Sequence, residues 1–289
     1  MHFSALLAAT LAASVSGLAV RQTTPIWSTL PPTPNLPTPI STAKTPINGI
    51  EMWFQKYNEA AGGVPVVMHH GGLGYSAYFG DVITRLVAAG HYVIAIDHRG
   101  HGRTTYNAGD VFTYDQMAAD VAALLAGAGV TKYNVVGWSD GGIIALANLM
   151  DPSAAGAINK AFLYGATANP GQANATFSQT AIFSEFVTRC GTEYAALQPS
   201  ANFTDFATKV ATMEATLPQF TDAQLGAIDG AKVMIADGDR EEAVNLDVPG
   251  LLNKAIPGSS VAILKDVSHF GPMQDPDQFT KAVTDFFGA

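Results

Sequence analysis

The chain has 289 residues, 48% of them hydrophobic and 13% charged, enough to bury one large core at a length that an α/β fold fills as a single domain. Its 24 acidic residues outnumber the 15 lysines and arginines, and the resulting formal charge of -9 argues against nucleic acid or an anionic membrane as a partner. The single Cys190 rules out an internal disulfide and reads as a small apolar filler, and no Cys/His spacing matches a zinc site.

Met1 to Ala19 resembles a secretory signal: the apolar run Ala5 to Ala13 is too short to span a bilayer and gives way to small residues near Gly17, although no Lys or Arg precedes it. Two sequons, Asn174-Ala175-Thr176 and Asn202-Phe203-Thr204, fit a secreted, N-glycosylated protein. Residues 20–47 are crowded with Pro and Thr, which removes backbone donors and predicts an unpacked surface leader, so folded structure is expected to begin at the Asn48-Gly49 turn. Ile50 to Tyr57 then alternates apolar and polar residues, the pattern of a half-exposed antiparallel edge strand.

Short apolar runs follow at Val64 to Met68, Tyr92 to Ile96, Tyr133 to Val136, Ala161 to Tyr164, Lys232 to Ala236 and Ser260 to Leu264. The helical patterns Phe79–Ala89, Tyr114–Ala126 and Gly142–Leu149 separate the early ones, and such alternation predicts a mostly parallel, doubly wound sheet with sites at the carboxyl ends of its strands. Between Ala166 and Gly230 about sixty residues intervene where about thirty are usual, so residues 167–230 are expected to form an inserted helical cap that divides the core into 48–166 and 231–289. Recurring aromatic residues there, among them Phe177, Phe183, Phe186, Tyr194 and Phe206, are expected chiefly to pack the cap onto the core.

Gly137-Trp138-Ser139-Asp140-Gly141 lies between an apolar run and small residues at helical spacing, which reads as strand, sharp turn and helix with Ser139 as a candidate nucleophile. A serine hydroxyl needs a base and an acid to orient that base. His269, in the loop after the last strand, stands in the chain order of serine, acid, histidine. The acid lies in Asp237 to Glu242, where four carboxylates follow a strand and spacing does not choose among them. Two backbone N–H groups are expected to receive an oxyanion: that of Asp140 and one from His70-Gly71-Gly72-Leu73-Gly74, with Gly72 favoured and Leu73 the near alternative.

Together, His70-Gly71-Gly72-Leu73-Gly74, Asp97-His98-Arg99-Gly100-His101-Gly102-Arg103, Gly137-Trp138-Ser139-Asp140-Gly141-Gly142, Gly238 to Val244 and Ser268-His269-Phe270 resemble the α/β-hydrolase superfamily over about Asn48 to Ala289, most nearly its valacyclovir-hydrolase and biphenyl-hydrolase-like esterases. The resemblance implies an acid three residues after the glycine that ends the strand. That position is Glu241, a departure from the usual aspartate that leaves Asp239 as the alternative.

A serine at the turn, where relatives that open epoxides or remove halides carry aspartate, points to acyl transfer to water. The expectation is therefore a secreted serine hydrolase of a small carboxylic ester or lactone, needing no metal or organic cofactor. Alternatives are an amide, N-terminal peptide or C–C bond hydrolase, or a non-catalytic binder on the same fold. An amine-bearing substrate would favour an acid in the cap, for which Glu185 and Glu193 are available.

Overall fold

The computed structural model describes residues 24–39, 41–198 and 202–288, so the expected secretory signal lies outside the described residues. Eight strands, β1 (Ser41–Ile47), β2 (Ile50–Tyr57), β3 (Val66–His69), β4 (Val93–Ile96), β5 (Tyr133–Trp138), β6 (Ile158–Tyr164), β7 (Val233–Gly238) and β8 (Ser260–Leu264), form one sheet. Its spatial order is β1-β2-β4-β3-β5-β6-β7-β8, with β2 antiparallel to both its neighbours and every pair from β4 to β8 parallel.

Helices α1 (Gly80–Ala88), α2 (Tyr114–Gly127) and α3 (Asp140–Met150) connect the early strands. Then α4 (Ala181–Leu197), α5 (Phe203–Thr216) and α6 (Asp222–Gly226) lie between β6 and β7, and α7 (Val248–Ala255), α8 (Gly271–Gln274) and α9 (Pro276–Phe287) complete the chain. Helices cover both faces of the sheet, which is why β3, β4 and β5 are buried at every residue and are mostly apolar. Local signals set the helix starts: Thr113 and Asn202 accept backbone N–H bonds at the heads of α2 and α5, and Thr221 with Gln224 forms a capping box on α6.

Two expectations are corrected at the N-terminal edge. Ser41–Ile47, assigned by its prolines to an unpacked leader, pairs along its whole length with β2 through a hairpin at Asn48-Gly49, where both φ angles are positive. Pro46 is tolerated because β1 is the sheet's edge, where a missing N–H breaks no ladder on the outer side. Ile50–Tyr57 is in turn an interior strand, with Met52, Trp53 and Phe54 all buried. The rest of the leader also packs: Leu30 is buried, the Leu30 carbonyl accepts from Arg189 of α4 at 3.0 Å, and the Trp27 and Thr29 carbonyls accept from Gln274.

The Asp97 to Arg103 loop is built for structure. Arg99 grips Asp120 with two hydrogen bonds of 2.8 and 2.9 Å and Asp110 with a third, while Asp97 accepts from the Ser76 and Arg103 backbone N–H groups. Around it His69, His70, His98 and His101 form a buried cluster with ring centroids 4.6 to 5.1 Å apart. Burial holds these rings neutral, depressing His69, His70 and His101 to about 3 and His98 well below its ordinary value. The unfolded chain protonates the same rings near pH 6.5, so their contribution to stability is fully present above about 6.5 and is lost as pH falls toward about 3. Urea midpoints are expected to drop steeply below about pH 6, and a midpoint that stays flat from about pH 7 to 4 would contradict a neutral buried cluster.

Candidate active site

Strand β5 ends at Trp138, and α3 begins at Asp140, leaving Ser139 alone at the apex with φ 55° and ψ -123°. A non-glycine residue in that region is strained and persists only where its surroundings dictate it. They do so here by close approach: a Cβ on Gly137 would stand 2.6 Å from the Gly141 carbonyl oxygen, and one on Gly141 would stand 2.0 Å from the His69 carbonyl oxygen. The Ser139 N–H donates to the Tyr164 carbonyl at 2.8 Å, fixing the apex against β6.

His269 is held by the carboxyl ends of three strands. Trp138 Nε1 donates to the His269 carbonyl at 2.7 Å, and the Tyr164 hydroxyl donates to the Ser268 carbonyl at 2.5 Å. Glu242, just past β7, accepts from Ser268 Oγ at 2.9 Å and from the His269 N–H at 3.1 Å. Gln274 accepts from the Ser268 N–H at 2.7 Å and donates back to Ser268 Oγ, so the same amide that binds the Trp27 and Thr29 carbonyls braces the histidine loop.

Among the carboxylates after β7, Glu241 meets the imidazole: its Oε2 lies 3.0 Å from His269 Nδ1, while its Oε1 accepts from the Ala243 and Val244 N–H groups at 2.6 and 3.0 Å. Asp239 turns elsewhere, accepting from the Asp266 N–H at 2.7 Å and facing Lys265 and Arg240. Burial pushes Glu241 up to about 7, opposed by a hydrogen bond from Asp237 and by the two backbone donors. Asp237 is itself raised well above its ordinary range by burial and then by the Glu241 charge. Burial also lowers His269, against the pull of the Glu242, Asp237 and Asp140 charges.

Ser139, Asp140, Gly71, Gly72, Leu73 and His269 line one cavity of about 200 Å³, walled mainly by Phe177, Phe183, Phe186, Val210, Leu217 and Phe270. Ser139 is half-buried, and among the described residues no hydrogen bond joins its hydroxyl to His269, whose Nδ1 edge is taken by Glu241. Such contacts commonly tighten only when substrate excludes water. Both candidate oxyanion segments line the same cavity as Ser139, one through Gly72 and Leu73 and the other through Asp140.

The cap acid in this cavity is Glu214 of α5, which sequence reasoning did not single out; Glu185 pairs with Arg189, and Glu193 accepts from the Tyr78 hydroxyl, both outside the cavity lining. Glu214 carries no motif, and only the packing of α5 over the turn brings it to Asp140. Gln274 was likewise not picked out, because it acts through a neighbour; Asp237 and Glu242 stood among the four candidate carboxylates, and neither is the one bonded to the imidazole.

The alpha/beta hydrolase family model matches residues 66–282. The chain belongs to that family. Over 97 residues this alpha/beta hydrolase is 34% identical to a rhodomycin D methylesterase of Streptomyces peucetius, a stretch that covers 33% of each chain. It is 41% identical over 97 residues to a proline iminopeptidase of Xanthomonas citri, covering 32% of this chain and 30% of that one. It thus spans about a third of the length of these curated relatives. Among solved structures, a meta-cleavage product hydrolase of Pseudomonas fluorescens IP01 superposes with a TM-score of 0.71 at 17% identity, covering 86% of this chain and 98% of that one, which speaks to the fold.

The bracing of the histidine loop generates a stability expectation. Gln274→Ala leaves the buried Ser268 N–H and the Trp27 and Thr29 carbonyls without their partner, and should cost about 1–3 kcal/mol. Urea unfolding of the variant measures it, and a change under about 0.3 kcal/mol would show that the leader and this loop are not coupled through Gln274.

Proposed function

We propose that this alpha/beta hydrolase cleaves a carboxylic ester or lactone through an acyl-enzyme on Ser139, with His269 as base and Glu241 as the acid that orients it. The observation that carries the reading is the 3.0 Å contact of His269 Nδ1 with Glu241 Oε2 at a cavity shared with the strained Ser139 turn. Glu241 fixes the tautomer with the proton on Nδ1, leaving Nε2 to accept.

In the proposed cycle Nε2 takes the Ser139 proton as Oγ attacks the carbonyl carbon, and the N–H groups of Asp140 and Gly72 receive the charge that develops on the carbonyl oxygen. The C–O bond then breaks, and His269 gives its proton to the leaving alkoxide. Water repeats the sequence on the acyl-enzyme and frees the acid. The apolar walls favour a neutral acyl or alcohol group of modest size.

A second reading has a specific observation in its favour. Glu214 and Asp140 bring negative charge to a cavity whose lining, among the described residues, has no lysine or arginine, which suits a substrate ammonium and hence an amide or N-terminal peptide bond. We also propose that the protein is secreted and N-glycosylated at Asn174 and Asn202. The side-chain amide of neither asparagine donates a hydrogen bond among the described residues, and Asn202 is exposed.

Hydrolysis of p-nitrophenyl butyrate is expected for the wild type and should fall to background in Ser139→Ala; equal rates in the two would leave a non-catalytic binder. Glu241→Gln should lose about 10⁴-fold in kcat, as loss of the orienting acid does elsewhere, whereas Asp239→Asn should stay within about 3-fold. Because burial depresses His269, the acid limb of kcat/KM should fall below the ordinary histidine midpoint of about 6.5. Turnover of alanine p-nitroanilide exceeding that of the butyrate would select the second reading. Expression through a eukaryotic secretory route should give a band that glycosidase shifts in the wild type and that Asn174→Gln/Asn202→Gln removes; an unshifted wild-type band would contradict modification at either sequon.

A further inference from the structure

Asp140 carries more than a backbone N–H. Its Oδ1 accepts the Tyr114 hydroxyl at 2.7 Å, but its Oδ2 is buried and has no donor among the described residues. Above it stands the cap. A Cβ built on Gly72 would lie 2.7 Å from Asp140 Oδ2 and 2.5 Å from Glu214 Oε1, so both oxygens crowd the space that the bare α-carbon of Gly72 leaves open. The two carboxyls face one another across that space, and among the described residues the other titratable groups facing them are Tyr114 of α2 and His269. Among the described residues no lysine or arginine lines the cavity to neutralise two anions.

Asp140 is buried, and its Oδ2, a carboxylate oxygen with no donor, carries a large desolvation cost that a second anion facing it raises further. Placing one proton between the pair removes both difficulties, since the protonated acid donates to the oxygen that otherwise has no partner.

We propose that Asp140 and Glu214 hold one proton in common, and that the resulting acid–carboxylate hydrogen bond ties cap helix α5 to the nucleophile turn, making Glu214 a positioning residue for the reaction at Ser139. The inference rests on the hydrolase reading for its consequence and on the geometry alone for the shared proton.

Burial raises Asp140 to about 6, against the hydrogen bonds from Tyr114 and Glu214 and the charge of His269. The surrounding protein and then the Asp140 charge raise Glu214 above its ordinary range; because Glu214 is exposed to solvent, the charge of Asp140 is the firmer cause. Both shifts act in one direction: the pair keeps a proton where free carboxylates have lost theirs, and gives it up as pH rises. Once it is gone, two anions repel across the Gly72 gap, α5 loses its tie, and negative charge stands beside the N–H groups that would receive the oxyanion. Activity should therefore fall on the alkaline side while His269 remains neutral and competent.

The pH profile of kcat/KM for p-nitrophenyl butyrate reads this directly. The wild type is expected to show an alkaline limb. Glu214→Gln, whose amide donates to Asp140 Oδ2 without a titrating proton, should move that limb to higher pH or abolish it. Glu214→Ala should lose about 10-fold or more in kcat/KM at the wild-type optimum, mainly through KM, with Gln recovering most of the loss. A limb at the same pH in wild type and Glu214→Gln, or no limb in the wild type, overturns the role.

Infrared difference spectra test the proton without turnover. At about pH 8, where free carboxylates are ionised, the wild type should show a carboxylic-acid C=O band that is missing from both Glu214→Gln and Asp140→Asn. Spectra in which neither variant loses a band overturn the pair. A protein that shows the band yet hydrolyses no ester would sink the hydrolase reading and leave the pair standing.

Discussion

The structure depends on one close approach: the turn between β5 and α3 is pressed so tightly against the end of β3 that the Gly141 α-carbon faces the His69 carbonyl with no room for a side chain. That contact forces the positive φ of Ser139, lifts its hydroxyl off the sheet, and puts the start of α3 beside Gly71 and Gly72. The strain is local, and the buried parallel strands on either side hold it in place.

Around that turn the protein keeps an unusual density of acid in an apolar setting. Asp237, Glu241 and Glu242 gather at His269, and Asp140, next to Ser139 in the chain, faces Glu214 across the space that Gly72 leaves open. Where backbone donors are plentiful, as at Glu241 with its two N–H partners, a carboxylate is held in a defined orientation. Where they are lacking, as at Asp140 Oδ2, proton retention takes their place. Low dielectric thus serves both sides of the site, sharpening the histidine's contact with its acid and making the cap's contact with the turn depend on a proton.

The N-terminal segment has a part in this arrangement. Residues that composition assigns to a leader complete the sheet edge and, through Gln274 and Arg189, join the histidine loop to cap helix α4. Proline content shows where ladder donors are missing. It does not show that carbonyls are idle, and it is the carbonyls of Trp27, Thr29 and Leu30 that make these bonds.

By itself the sequence determined what is local and periodic: the alternating strands and helices of a doubly wound sheet, the glycines that only a sharp turn at Ser139 requires, and the order of serine, acid and histidine along the chain. These are legible because each is written in neighbouring residues. The choice of Glu241 over Asp239 as the His269 partner, the conversion of Ile50–Tyr57 from edge to interior strand, and the meeting of Glu214 with Asp140 were decided only in three dimensions. Each depends on which side chain a distant segment presents after packing, and neither pattern nor spacing carries that information when the partners lie tens of residues apart.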